Sequence, residues 1–199
     1  MKTNTIVMAL LCLCFPAFGQ RSFLTEEASP TPKIEKSLWG LQLGFPGAWL
    51  YYETRLKDPF SLRVEVGRTA TVYGIGNEID LDFENTVSLE SRWYYNLHKR
   101  AKKGKKTAAN SSNFLAVSAN YNHGDKIIFN NPRREIRTNS LSFLVKWGIR
   151  RSLGKHFDWE ASYYLGLESD LPEEISSIPF YSFPPYFTSG LQIRIGLHR

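Results

Sequence analysis

From Ser37 onward, apolar and polar residues alternate in blocks, the period of two that places successive side chains on opposite faces of an extended strand. No stretch keeps helical spacing long enough to compete. Eight strands are predicted. The first sets Trp39, Leu41, Leu43 and Phe45 against Gly40, Gln42 and Gly44, and ends at Pro46-Gly47. The second, Ala48 to Leu56, sets Leu50, Tyr52 and Leu56 against Tyr51, Glu53 and Arg55, and is followed by the turn signal Lys57-Asp58-Pro59. The third opposes Leu62, Val64 and Val66 to Ser61, Arg63, Glu65 and Gly67. The fourth opposes Val87, Leu89, Trp93, Tyr95 and Leu97 to Ser88, Glu90, Arg92, Tyr94 and Asn96.

The fifth strand carries Leu115, Val117, Ala119 and Tyr121 opposite Ala116, Ser118 and Asn120. The sixth carries Leu141, Phe143, Val145, Trp147 and Ile149 opposite Ser142, Leu144, Lys146, Gly148 and Arg150. The seventh sets Phe157, Trp159, Ala161, Tyr163, Leu165 and Leu167 against Asp158, Glu160, Ser162, Tyr164 and Gly166. The last sets Leu191, Ile193, Ile195 and Leu197 against Gly190, Gln192, Arg194 and Gly196. Eight alternating strands of about 9 to 11 residues suit a closed barrel, so the expected fold is an all-β, eight-stranded antiparallel up-and-down transmembrane β-barrel.

Alternation alone leaves open whether the apolar face points into lipid or into a ligand cavity. The polar faces carry Arg55, Arg63, Arg92, Lys146, Arg150 and Arg194 against Glu53, Glu65, Glu90, Asp158 and Glu160. A narrow lumen has to pair its ions to offset their desolvation, so near-neutrality favours these residues as a lumenal charge network. On the apolar face Trp39, Tyr52, Trp93, Tyr95, Tyr121, Trp147, Trp159 and Tyr163 lie toward strand ends, as an aromatic girdle at a membrane interface requires. Connection lengths agree in part: the second and sixth are short, while the third (Thr71 to Asn85), fifth (Gly124 to Asn139) and seventh (Glu168 to Phe187) are long outer loops. The exceptions are a short first connection at Pro46-Gly47 and a long fourth, His98 to Ser112.

The amino terminus supplies the compartment. Lys2, the apolar run Ile6 to Phe15 and Ala17-Phe18-Gly19 form the three parts of a secretory signal, with cleavage expected after Gly19. The expected organisation is therefore residues 1–19 as signal peptide, 20–36 as an extended periplasmic leader carrying Pro30 and Pro32, and 37–199 as the barrel. Cys12 and Cys14 both fall in the removed segment, so the mature chain has no disulfide framework, and loss of Lys2 takes the formal net charge from +6 to +5. Of 199 residues, 42% are hydrophobic and 22% charged, enough for a core and too few apolar runs for membrane helices.

The run Glu90-Ser91-Arg92-Trp93-Tyr94-Tyr95-Asn96-Leu97, the basic segment Lys99 to Lys105 and the closing Gly190-Leu191-Gln192-Ile193-Arg194-Ile195-Gly196 resemble small outer-membrane β-barrel proteins of the Bacteroidetes type. The resemblance covers Ser37 to Arg199. It implies outer-membrane lipid and lipopolysaccharide as surroundings, a monomer, and no catalytic residue or cofactor. The ending Leu197-His198-Arg199 departs from the usual final aromatic.

Other chemistry reads weakly. Lys99, Arg100, Lys102, Lys103, Lys105 and Lys106 form a basic run that in an exported chain meets anionic headgroups or peptidoglycan rather than nucleic acid. His123 with Asp125 and a serine such as Ser142 or Ser189 could assemble an acyl-hydrolase triad, without a nucleophile motif to support it. Glu78, Asp80, Asp82 and Glu84, and Glu168, Asp170, Glu173 and Glu174, are acidic loop clusters able in principle to hold a divalent cation, with no EF-hand spacing. Ile178 to Phe187 is an aromatic and proline-rich lid or adhesive surface. The expected role is structural or surface-interacting and non-catalytic, with a lumen plugged by paired charges; the alternative is a soluble barrel that binds an apolar ligand.

Overall fold

A computed structural model describes residues 32–44, 47–75, 78–127, 137–171 and 184–199. The expected signal peptide, most of the leader, Glu173, Glu174 and the segment Ile178 to Phe183 lie outside the described residues. Eight antiparallel strands close into one barrel in chain order: β1 Ser37–Gly44, β2 Gly47–Lys57, β3 Phe60–Ile75, β4 Glu78–Trp93, β5 Asn113–Ile127, β6 Arg137–Ser152, β7 Phe157–Leu171 and β8 Tyr186–His198. The all-β eight-strand expectation holds.

Both chain ends of the barrel, the β2–β3 and β6–β7 turns and the β4–β5 connection lie at one end, called here the terminal end; the other four connections lie at the far end. The seam is short. β1 meets β8 in register from Gly40–His198 to Gly44–Arg194, with Trp39 and Arg199 exchanging backbone hydrogen bonds of 3.2 and 2.9 Å one step beyond, whereas β3 and β4 pair from Phe60–Trp93 to Ile75–Glu78.

Alternation sends the apolar residues outward. Val66, Leu89, Val117, Val145 and Ile195 are all at least half exposed, while Arg63, Glu90 and Arg150 on the opposite face are 0% exposed. Inward-facing rings fill the barrel where the neighbouring strand supplies glycine. Gly40, Gly67, Gly148 and Gly190 stand in register with Tyr51, Trp49, Phe114 and Tyr164. A Cβ on Gly67 would fall 2.0 Å from Trp49 Cδ1, and one on Gly148 2.3 Å from Phe114 Cζ, so each ring lies flat across the strand beside it.

Four segments differ from the sequence expectation. The third connection is no long loop: β3 and β4 continue to Ile75 and from Glu78, with only residues 76–77 between them, so Glu78, Asp80, Asp82 and Glu84 are strand residues. The fifth and seventh connections are shortened likewise by β5 running to Ile127, β6 starting at Arg137, β7 running to Leu171 and β8 starting at Tyr186. The fourth connection folds into a helix, α1 Leu97–Lys102, and a 3-10 turn, Ala108–Asn110. Strand β4 ends at Trp93, so Leu97, expected on the outer face, is instead buried with Ile34, Tyr94, Phe114 and Ala116. The last leader residues dock there too: Ile34 N–H donates to Asp58 Oδ1 (3.0 Å) and Glu35 N–H to Asn110 Oδ1 (2.7 Å).

Candidate functional site

The lumen gathers ten of the eleven charged residues assigned to it. Strand β3 brings Arg63 and Glu65, β4 Glu90 and Arg92, β6 Lys146 and Arg150, β7 Asp158 and Glu160, while β2 supplies Glu53 and β8 Arg194. Arg92 clamps Glu160 with two bonds of 2.8 and 2.9 Å and also bonds Glu90, whose other oxygen accepts from Lys146 at 2.6 Å. Arg63 contacts Glu65 at 2.5 Å and Glu160 at 3.3 Å; Arg194 holds both oxygens of Glu65 at 2.9 and 3.0 Å. Arg150 reaches Glu53 at 3.1 Å and Asp158 at 2.7 Å, and bonds Tyr51. Five cations thus face five anions with no net charge. That balance is what a desolvated cluster needs, because each ion removed from water costs several kcal/mol unless it is paired and hydrogen-bonded.

Arg55 does not belong to this network. It stays in register with inward-facing Ser61 but stands at the rim of the barrel, where it pairs with Asp58 at 3.4 Å.

Several members carry no charge and were not assigned from sequence. Gln42 accepts from Arg63 (2.6 Å) and Arg194 (3.3 Å) and donates to Asp158 (3.3 Å), which links β1 to β3, β7 and β8. Glu53 Oε1 accepts from Ser61, Tyr94 and Asn110 at 2.7, 2.7 and 2.8 Å. Asn110 arrives through the positive φ of Ala109 (51°) and its own (57°), a conformation uncommon for residues other than glycine. His198 Nδ1 lies 2.9 Å from Asp158 Oδ2. Guanidinium faces stack on the lumenal rings, Arg63 over Tyr51 at 3.8 Å, Arg92 over Phe114 at 4.2 Å and Arg194 over Trp49 at 4.0 Å. The signal for these rings was their register opposite glycine, visible only once strands are paired.

Above this cluster the lumen opens toward the far end as a polar vestibule of about 390 Å³, with Glu65, Lys146 and Arg194 as its floor. One wall is a ladder of hydroxyls and amides that ends on the carboxylate of Glu168. Thr86 donates to Asn122 (2.9 Å), Asn122 to Ser140 (3.1 Å) and Ser140 to Glu168 (2.6 Å); beside it Ser88 bonds Asn120, which donates to Ser142 at 3.0 Å. The paired charges therefore plug only the terminal half of the barrel.

The expected girdle residues all face outward. Trp39, Trp93, Tyr95, Trp147 and Trp159 sit toward the terminal end, Tyr121 toward the far end, and Tyr52 and Tyr163 further along their strands than expected. Trp159 is half-buried. Phe60 stacks on Trp93 at 6.2 Å, Trp93 meets Tyr95 edge-on at 5.9 Å, and Trp147 Nε1 donates to Tyr95 Oη at 2.9 Å.

The triad residues do not come together. His123 lies on the outer parity of β5 with Nδ1 2.6 Å from Asn139 Oδ1, Ser142 is buried inside the wall, and Ser189 is exposed on β8 across the barrel. Among the described residues no group of three His, Cys, Asp or Glu is placed to hold a metal ion. The site and fold define a closed, charge-plugged eight-strand barrel with an apolar exterior. No family model, no curated protein and no solved structure matches the chain.

Proposed function

We propose that the chain is an outer-membrane β-barrel of a Gram-negative cell, exported through a cleaved signal peptide, with a structural or surface-interaction role and no catalysis. The observation that carries this reading is the inversion of the usual soluble arrangement. Leucine, valine and tryptophan cover the outside of a closed sheet, and the ion pairs lie within it. So much exposed apolar surface has no aqueous explanation in a monomer, whereas hydrocarbon solvates it directly. In this reading the terminal end faces the periplasm, and the far end with its vestibule faces outward.

The soluble-carrier alternative needs an apolar cavity, and the described lumen is lined by ions, amides and hydroxyls. The expected result of fractionation is that the mature protein sediments with outer membranes, is released by detergent, and shifts in gel mobility on boiling. Recovery in the aqueous fraction, with one mobility before and after heating, would overturn the proposal.

A further inference from the structure

Just outside the barrel wall at the terminal end, Arg100 on α1 and Arg151 near the end of β6 are joined through Asn96 and Asn113: the Asn96 carbonyl accepts from Arg100 N–H at 3.0 Å, and Asn96 Oδ1 accepts from the N–H of Asn113, the residue whose side chain Arg151 bonds, at 2.8 Å. Among the described residues neither has a carboxylate within salt-bridge distance. That contrasts with the lumen, where every cation is matched. Their immediate partners are neutral. Arg151 donates to Asn113 Oδ1 (2.6 Å) and to the Arg150 carbonyl (2.7 Å), and Arg100 donates to the Lys106 carbonyl (3.0 Å). Arg100 Nε is shielded from solvent and has no hydrogen-bond partner.

The pair sits at the edge of the aromatic cluster. Asn113 donates to Tyr95 Oη at 3.3 Å, the oxygen that also accepts from Trp147. Arg151 continues the outward parity of Trp147 and Ile149, and stands in register with Trp159. Lys99, Lys102, Lys103, Lys105 and Lys106 are exposed around it and add positive potential of their own.

Two unneutralised guanidiniums beside a phenol and two indoles, at the border of the apolar band, match the place where a lipid phosphate meets its acyl chains. We infer that Arg100 and Arg151 form a phosphate clamp for an anionic glycerophospholipid, with the acyl chains lying along Trp147 and Trp159. This rests on the membrane reading above. It goes further in naming the lipid class and the two residues that hold it.

The test uses the full mature chain folded in detergent micelles, titrated with phosphatidylglycerol and followed by native mass spectrometry. The double variant R100Q/R151Q should bind this lipid about thirty-fold more weakly, the equivalent of two interfacial charges. K102Q/K103Q removes the same charge away from the clamp and should change binding by less than about three-fold. Equal loss in the two variants would show a diffuse field and overturn the clamp, as would retention of phosphatidylcholine equal to that of phosphatidylglycerol. Displacement of the lipid by excess inorganic phosphate would assign the site to a soluble anion instead. Heat-modifiable mobility, measured on the same samples, reports the barrel separately: a folded wild type that binds no lipid defeats the clamp alone, and loss of the shift in wild type defeats the membrane reading.

Discussion

The two halves of the lumen are built from the same strands and filled by different chemistry. In the terminal half, five cations and five anions are buried in contact, ringed by Tyr51, Phe114 and Trp49 and stoppered by Ile34, Leu97 and the Ala108–Asn110 turn. In the far half the wall carries serine, threonine and asparagine around a cavity of about 390 Å³. The short β1–β8 pairing explains why the dense half lies where it does. Few backbone hydrogen bonds close the barrel there, and the Gln42–Arg194–Glu65 and His198–Asp158–Gln42 contacts tie β1 and β8 to strands on either side.

Breaking the contrast from the charged side has the largest expected effect. Glu160→Ala leaves the buried cluster with one uncompensated positive charge, Arg63 keeping only Glu65 and Arg92 only Glu90 as carboxylate partners, and should cost about 3–5 kcal/mol, read as a lower urea midpoint for unfolding from vesicles. Gly148→Val pushes a side chain into the Phe114 ring and should cost about 1–3 kcal/mol in the same assay. Combined with Phe114→Ala, the double variant should lose less than the sum of the two single losses, because the clash needs both partners. Asn120→Ala in the vestibule removes bonds that water can replace, and should cost no more than about 1 kcal/mol. Smallest of all is the response to salt. Raising ionic strength should leave the urea midpoint of wild type nearly unchanged, since the pairs that matter are shielded from solvent. A midpoint that falls steeply with salt would mean the cluster is wet.

How much of this was legible follows from what each feature depends on. Faces could be read because Arg63 between Leu62 and Val64, or Glu90 between Leu89 and Ser91, can point only one way once period two is recognised. The same rule applied to Glu78-Ile79-Asp80-Leu81-Asp82-Phe83-Glu84 predicts a strand, and the acidic composition masked an alternation that was present. Arg55 keeps the parity read from the sequence, but parity gives no height along the barrel, and Arg55 stands at the end of its strand beside Asp58 rather than among the ions. The helix Leu97–Lys102 is too short to display a period, and its burial depends on Tyr94 meeting Phe114, a contact between residues far apart in sequence. Gln42, Tyr51 and Asn110 were invisible for a related reason: they are polar or aromatic residues of ordinary kind, and only closure of the barrel brings them to the ions.

The central claim, that the apolar face meets hydrocarbon, is tested most directly by accessibility along one strand. Residues 20–199 contain no cysteine, so single cysteines at Val117 and Ser118 can carry nitroxide labels in lipid vesicles. Power saturation should find position 117 relaxed by dissolved oxygen and shielded from a water-soluble nickel chelate, with position 118 showing the weaker oxygen effect of a lumenal site. Strong relaxation of position 117 by the chelate, with no advantage for oxygen, would contradict the account.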